Sequence, residues 1–282
     1  MTEPQGWKKI RPVEYPAAEA FLREREIFCV GACSRFLARN FNHNHLWTVR
    51  NAQGGMAAFL LHSRLSLYPI FPANRYIQLP GFLGRFLKKI PIHSVQGLRE
   101  DTEILEEGIV KLGYNAIDRI DYDLMTLDRE PRSECFQRGP SGLVLRKPVP
   151  KDTEGLYQLQ AAYEIEEVLP RGETFNPKAC QKTLEKLLET QQVMLACMGD
   201  EIIGKINTNA VSFTRFQIGG VYVHPKFRGL GIAVKMSAVF LQQLTAEGRG
   251  ITLFVKKRNA AARSVYRRLG FIQRGDYRIS YY

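Results

Sequence analysis

The chain has 282 residues and a mass of 32.2 kDa, enough for two domains with sizeable cores. Hydrophobic residues make up 45% and charged residues 24%, which excludes global disorder, collagen-like repeats and a coiled coil. The net charge is +12, no apolar run reaches the roughly 18–20 residues of a membrane span, and the opening MTEPQGWKKIRPVEYP has no signal-peptide stretch, so a soluble cytoplasmic protein without a membrane partner is expected.

Phe21, Leu22, Phe28, Cys29, Ala32, Cys33, Phe36 and Leu37 recur at three-to-four spacing and predict an opening helix. Leu46–Arg50 and Met56–Ser63 flank Asn-Ala-Gln-Gly-Gly and read as a hairpin. A strand at Ile90–Val95, a helix from Asp101 and a strand at Asp121–Leu127 follow. The segment Arg129–Pro140 is polar, aperiodic and proline-bearing, and it marks the seam between expected domains 1–138 and 139–282.

The second half reads more clearly. A strand is predicted at Gly142–Lys147, then a helix capped by Asp152, a helical stretch Ala161–Val168 and a helix Cys180–Leu188. Val193–Met198 and Glu201–Ala210 pair across Gly199-Asp200, a hairpin turn that needs positive φ. Phe216–Val223 is a strand, and Ile232, Met236, Val239, Phe240 and Leu244 form one helical stripe ended by Gly248. Ile251–Lys256, a helix Asn259–Leu269 ended by Gly270, and a strand Arg274–Tyr282 complete the order.

The five cysteines are an odd number at irregular spacing, which is no disulfide framework. Cys29 and Cys33 share a helical face, but no further ligands stand at zinc spacing, so buried structural thiols and no metal are expected. Charge is concentrated late: residues 201–282 carry 14 Lys/Arg against Glu201, Glu247 and Asp276, a local +11. Residues 27–99 carry nine more and no acid. Such fields favour anionic partners, although a solvated basic surface has the same composition.

Two stretches carry the chemistry. In Val221–Val234, VYVHPKFRGLGIAV, a strand ends at Pro225 and a helix begins after Gly231. The first turn of a helix offers unpaired N–H groups and partial positive charge, Gly229 and Gly231 allow close approach, and Arg228 adds a cation, together a seat for a pyrophosphate. An ordinary glycine-bearing turn has the same local pattern. The pair Gly219-Gly220 inside the preceding strand marks a bulge, which would splay it from Ile251–Lys256 and free its edge for an amide-bearing ligand. In Asn259–Phe271, Asn259 is a helix cap, while Ala262 and Tyr266 lie on the face below it. A phenol there can protonate a departing thiolate, or it can simply pack.

Together these features resemble the GNAT superfamily of acyl-CoA-dependent N-acyltransferases. The family's Arg/Gln-x-x-Gly-x-Gly/Ala pattern is met by Arg228, Gly231 and Ala233, after a strand ending Val223-His224-Pro225. Its later Asn-x-x-Ala-x-x-x-Tyr-x-x-x-Gly-Phe pattern is met at Asn259, Ala262, Tyr266, Gly270 and Phe271. The resemblance covers residues 141–282 and implies an α/β (α+β) fold with a mixed central sheet split by a CoA cleft. It implies that Val221, Tyr222 and Val223 pair with the pantetheine arm. It also implies that the N–H groups of Gly229, Leu230, Gly231, Ile232, Ala233 and Val234 hold the pyrophosphate. Asn259 would contact the cofactor and Tyr266 would be the general acid. The terminal RISYY with EEVLP, NTNA and GGVYVHP is similar to a two-domain subgroup with a divergent N-terminal half.

The acceptor side is less marked. Many family members carry a glutamate on the strand before the phosphate loop, whereas here that strand offers only Gln217 and His224. Glu167, four residues after Tyr163, is the alternative base; water, or no base at all, is another. The reading is therefore acetyl transfer from acetyl-CoA to a primary amine. Two other classes stay open: a non-catalytic acyl-CoA sensor and a tRNA-dependent aminoacyl transferase. The intact CoA loop argues against the last and against a nucleic-acid partner. A homodimer is compatible with all three. The first half echoes the second in element order. Its counterpart of the phosphate loop is read at Ser94–Asp101, where Glu100 and Asp101 would repel phosphate, so a non-catalytic, degenerate copy is expected.

Overall fold

The computed structural model describes residues 6–38, 44–72 and 80–282. The chain opens with β1 (Lys8–Lys9), α1 (Tyr15–Arg23), α2 (Glu26–Leu37), β2 (Asn44–Arg50), β3 (Met56–Ser63), β4 (Ser66–Ile70), α3 (Pro80–Leu87), β5 (Ser94–Leu98), α4 (Arg99–Val110) and β6 (Asp118–Leu127). It continues with β7 (Leu143–Arg146), α5 (Thr153–Tyr163), α6 (Pro177–Thr190), β8 (Val193–Met198), β9 (Glu201–Val211), β10 (Arg215–Val223), α7 (Ile232–Thr245), β11 (Gly250–Lys256), α8 (Ala260–Leu269) and β12 (Ile272–Tyr281). The order β-α-α-β-β-β-α-β-α-β thus occurs twice, so the first half is a full copy of the second in topology.

Two compact units are present: Met1–Leu124 with Gly275–Tyr282, and Met125–Arg274. The division falls inside β6 and β12 rather than at residues 138 and 139. The end of β12 ladders antiparallel on β5, from Tyr277 opposite Leu98 to Tyr281 opposite Ser94. Its side chains fix it there: Arg278 bonds Asp121 at 2.7 and 3.1 Å and Glu103 at 3.1 Å, and Ser280 donates to Glu106. A boundary inside a paired strand leaves no polar or proline-rich trace in the sequence.

In the second unit the strand order is β11-β10-β9-β8-β7 beyond the end of β6. Strands β7 to β10 are antiparallel and β11 is parallel to β10. The stripe Ile232, Met236, Phe240 and Leu244 of α7 packs with Ile206, Ile218 and Leu253 of the sheet. Leu156 of α5 and Leu184 of α6 pack with Val193, Leu195 and Cys197. Each such side chain contributes about 1.5–3 kcal/mol by leaving water. Asp152 stands at the expected cap position but does not bond the helix: it grips Arg146 at 2.6 and 2.8 Å and the N–H of Val149 at 2.7 Å.

The first unit departs more from expectation. The single helix predicted over Phe21–Leu37 is two helices, with non-helical backbone at Cys29 inside the second. Strand β4 and helix α3 were not predicted, and the strand expected at Ile90–Val95 begins at Ser94. The turn into β4 uses Arg64 and Leu65 at φ 50° and 69°, residues that carry no turn signal. All five cysteines are free, four are buried, and the sulfurs of Cys29 and Cys33 lie 3.6 Å apart. Among the described residues no helix is long and apolar enough to cross a membrane, and no cluster of His, Cys, Asp or Glu could hold a metal ion.

Candidate active site

The site begins with a break in β10. Its ladder with β9 slips between Gly219, opposite Asn207, and Tyr222, opposite Lys205, so β10 carries one extra residue. Gly220 sits at φ +59°, and a Cβ there would stand 1.9 Å from Asn207 Oδ1 and 2.8 Å from Lys205 Nζ. A Cβ on Gly219 would stand 2.1 Å from Nδ2 of the exposed Asn209 side chain, which would have to move, whereas the positive φ of Gly220 requires glycine. The parallel ladder between β10 and β11 covers only Arg215–Gln217 against Gly250–Thr252. Beyond it the strands separate and leave a cleft of about 440 Å³.

Val221, Tyr222 and Val223 line this cleft from β10, and Asn259, Ala262 and Tyr266 line it from the α8 side. Gly229, Gly231, Ile232, Ala233 and Val234 line it from the loop and the start of α7, while Leu230 is half exposed and outside the lining. Gly229 and Gly231 sit at φ +83° and +79°. The first α7 bond runs from the N–H of Lys235 to the carbonyl of Gly231, which leaves the N–H groups of Ile232, Ala233 and Val234 outside the helical ladder. A Cβ on Gly231 would come within 3.1 Å of the Gly139 nitrogen, so Arg138–Gly139 backs the loop.

Arg228 is bound rather than free. Its Nε donates to the Val223 carbonyl at 3.0 Å, and its fork meets both oxygens of Glu166 at 2.9 and 2.8 Å. The Tyr222 hydroxyl also donates to Glu166, at 3.0 Å. The Arg228 guanidinium holds the Glu166 carboxyl below the usual range. Glu166 and Glu167 reach the cleft because Glu164–Val168 continues α5 as a π-helical turn, not as the α-helix that the four-residue spacing assumed.

Asn259 caps α8 by accepting from the N–H of Ala262 at 2.9 Å, and its amide donates to Glu167 at 3.0 Å. The other Glu167 oxygen lies 3.5 Å from Lys256 Nζ. Tyr266 is 7% exposed and edge-on to Phe271 at 5.6 Å. Burial pushes its hydroxyl well above the ordinary tyrosine range, with Tyr163 and Glu167 adding to the effect, so it stays protonated as a donor at neutral pH. Tyr163 is pushed up to about 12, also by burial. Of the other base candidates, Gln217 pairs with Thr252 at the closed end of the cleft, and His224 accepts from the N–H of Lys226 at 3.4 Å.

Sequence reading missed Lys205. It is 1% exposed, and its ammonium donates to Asn207 Oδ1 at 3.0 Å and to the Gly220 carbonyl at 3.1 Å. It also lies 4.7 Å from the centre of the Tyr163 ring. Burial pulls its pKa down to about 7. The signal was present: Lys205, Asn207 and Asn209 alternate along β9 and form a polar row on one face.

Residues 157–280 match the family model of the acetyltransferase (GNAT) domain. The second half of the chain is a GNAT acetyltransferase domain. As such it is a transferase that draws its acyl group from acyl-CoA. Solved structures with the same fold span the whole chain. A GCN5-related N-acetyltransferase from Sphaerobacter thermophilus has a TM-score of 0.61 and 22% identity, over 99% of this chain and 96% of that one. A tandem GNAT protein from the clavulanic acid biosynthesis pathway has a TM-score of 0.62 and 11% identity, over 99% and 98%. A Drosophila protein has a TM-score of 0.63 and 16% identity, over 98% of both chains. At these identities the likeness is one of fold, and the tandem neighbour supports a two-domain GNAT arrangement. No curated protein matches significantly.

Proposed function

We propose that the GNAT domain moves an acetyl group from acetyl-CoA to a primary amine by direct attack. The observation that carries this reading is that the end of β10 beyond its break, the glycine loop and the Tyr266 phenol all line one cleft. The edge of Val221, Tyr222 and Val223 left unladdered by β11, apart from the Val223 carbonyl that Arg228 holds, suits the amides of the pantetheine arm. The N–H groups at the start of α7 and the glycines before them suit the pyrophosphate, and the charge of this half suits a polyanion. Asn259 borders the arm while its side chain orders the start of α8.

The amine nitrogen attacks the thioester carbonyl and forms a tetrahedral oxyanion, which a strand N–H of the bulge stabilises. The C–S bond then breaks, and Tyr266 gives its proton to the departing thiolate. Glu167 is the carboxylate that orients the incoming ammonium and receives its proton. The test is an amine panel with acetyl-CoA, read as release of free CoA thiol. Turnover with at least one primary amine is expected, and tight acetyl-CoA binding without thiol release for any amine would overturn the reading.

A further inference from the structure

The first unit has its own cleft at the place that matches the CoA cleft of the second. Strands β4 and β5 pair in parallel at Ser66–Leu67 against Ser94–Val95, and the ladder stops before Pro69, which has no N–H to give, although Gly97 still lies against the Pro69 carbonyl. A cavity of about 370 Å³ beyond the ladder is lined by the ends of both strands, by α2 and by the start of α4. Sequence reading had placed the phosphate-loop counterpart at Ser94–Asp101. The repeat instead aligns that segment with β11 and α8. In element order the counterpart of the phosphate loop falls between β4 and α3.

The chemistry of this cleft is opposite in sign to that of the other. Asp101, 6% exposed in the first turn of α4, is in its wall, with the exposed carboxylates Glu100 and Glu24 also on its lining. Among the described lining residues the one cation, Arg25, is tied to Glu24 at 2.8 Å and to the Phe21 carbonyl at 3.3 Å. A pyrophosphate would meet carboxylates here. Aromatic rings supply the rest: Tyr68, Phe71 and Tyr277 line the cavity, with the Arg35 guanidinium 4.6 Å from the centre of the Tyr68 ring. The Tyr68 hydroxyl is buried without a hydrogen bond of good geometry, with Ser66 beside it. Carboxylates and aromatic faces around an apolar pocket recognise an ammonium group through charge and through the ring quadrupoles.

We propose that the cleft of the first unit is a second ligand site that takes a small organic ammonium ion, a primary amine on an aromatic or apolar body, and not CoA. Burial holds the Asp101 carboxyl up at about 7, against the N–H of Phe71 that favours its ionised form. An ammonium beside it would favour ionisation further, and so would be bound together with loss of a proton.

The test titrates 4-fluorophenethylamine into the full chain, followed by fluorine NMR, with saturating CoA present to fill the cleft of the second unit. One site undisturbed by CoA is expected, with 4-fluorophenethyl alcohol bound about tenfold more weakly or worse. Asp101→Asn should weaken the amine by about tenfold or more. The exposed Glu100→Lys, which leaves the buried wall intact, should weaken it severalfold and serves where Asp101→Asn fails to fold. A crystal of the amine complex should hold it between β4 and β5. Absence of binding at millimolar amine, displacement by CoA, equal binding of the alcohol, or unchanged affinity in Glu100→Lys and a folded Asp101→Asn would overturn the proposal.

Discussion

Lys205 Nζ donates to the carbonyl oxygen of Gly220 at 3.1 Å, so a buried ammonium on β9 holds the extra residue of β10 in place. A trans peptide turns its N–H away from its C=O, so the N–H of Val221 faces away from Lys205. The clamp therefore fixes the orientation of a cleft-lining peptide. It also has a measurable pH signature. The folded-state pKa is about 7, whereas an exposed lysine lies near 10.4, so between these values the unfolded chain binds a proton that the folded chain does not. The stability contribution of this group therefore rises with pH across that window and is flat below it. Urea unfolding of the parent and Lys205→Met at pH 7 and pH 9 should show the difference moving in favour of the parent at the higher pH. A difference that does not change with pH would mean that Lys205 titrates normally.

Tyr266→Phe keeps the edge-on packing with Phe271 and removes the donor. Turnover should fall by about 10²–10⁴-fold, the usual range for a general acid, with affinity for CoA unchanged. A variant as fast as its parent would leave Tyr266 a packing residue.

Glu167→Gln keeps an acceptor for the Asn259 amide and removes the charge beside Lys256. The expected outcome is a fall of about tenfold or more in kcat/KM for the amine, with CoA affinity retained. Steady-state kinetics in the amine, at saturating acetyl-CoA, decides it; parental values would remove Glu167 from the acceptor chemistry.

Asp152→Ala removes a carboxylate that bonds Arg146 twice and the Val149 N–H once. Charge-assisted bonds of this kind contribute about 1–3 kcal/mol, and the partial exposure of Arg146 favours the low end. Arg146 pulls the Asp152 pKa down to about 2, so this stability is present above the ordinary aspartate range and is lost as pH falls through about 2. Denaturant midpoints at pH 7 and pH 3 should converge for the two proteins as pH falls. Equal stability at pH 7 would show the pair to be neutral.

The part of the cleft built by β10, the glycine loop and α8 was legible because each piece has a local cause. A glycine at positive φ, a cap residue and a helical stripe each leave a mark within a few residues, and Gly229, Gly231, Asn259 and Tyr266 stand where those marks put them. The repeat was legible only in outline. Strand β4 enters through Arg64 and Leu65, whose positive φ has no sequence signature, and the exchange of Gly275–Tyr282 into the first unit depends on pairing with residues nearly 180 positions away. The Glu166–Glu167 side of the cleft was not legible in geometry because a π-helical turn replaces α-helix at Glu164–Val168, which places Glu166 on Arg228 and Glu167 between Asn259 and Lys256.

The central claim is that one cleft, at the start of α7, seats acetyl-CoA. Calorimetric titration of the parent and of Ala233→Glu tests it most directly. Ala233 is partly buried against the core, an acid in the first turn suits the helix dipole, and its charge and bulk oppose a pyrophosphate at the N–H groups of Ile232–Val234. The account predicts one acetyl-CoA per chain in the parent and binding weakened by about tenfold or more in a variant of equal thermal stability. Unchanged affinity in that variant, or two sites of comparable affinity in the parent, would contradict it.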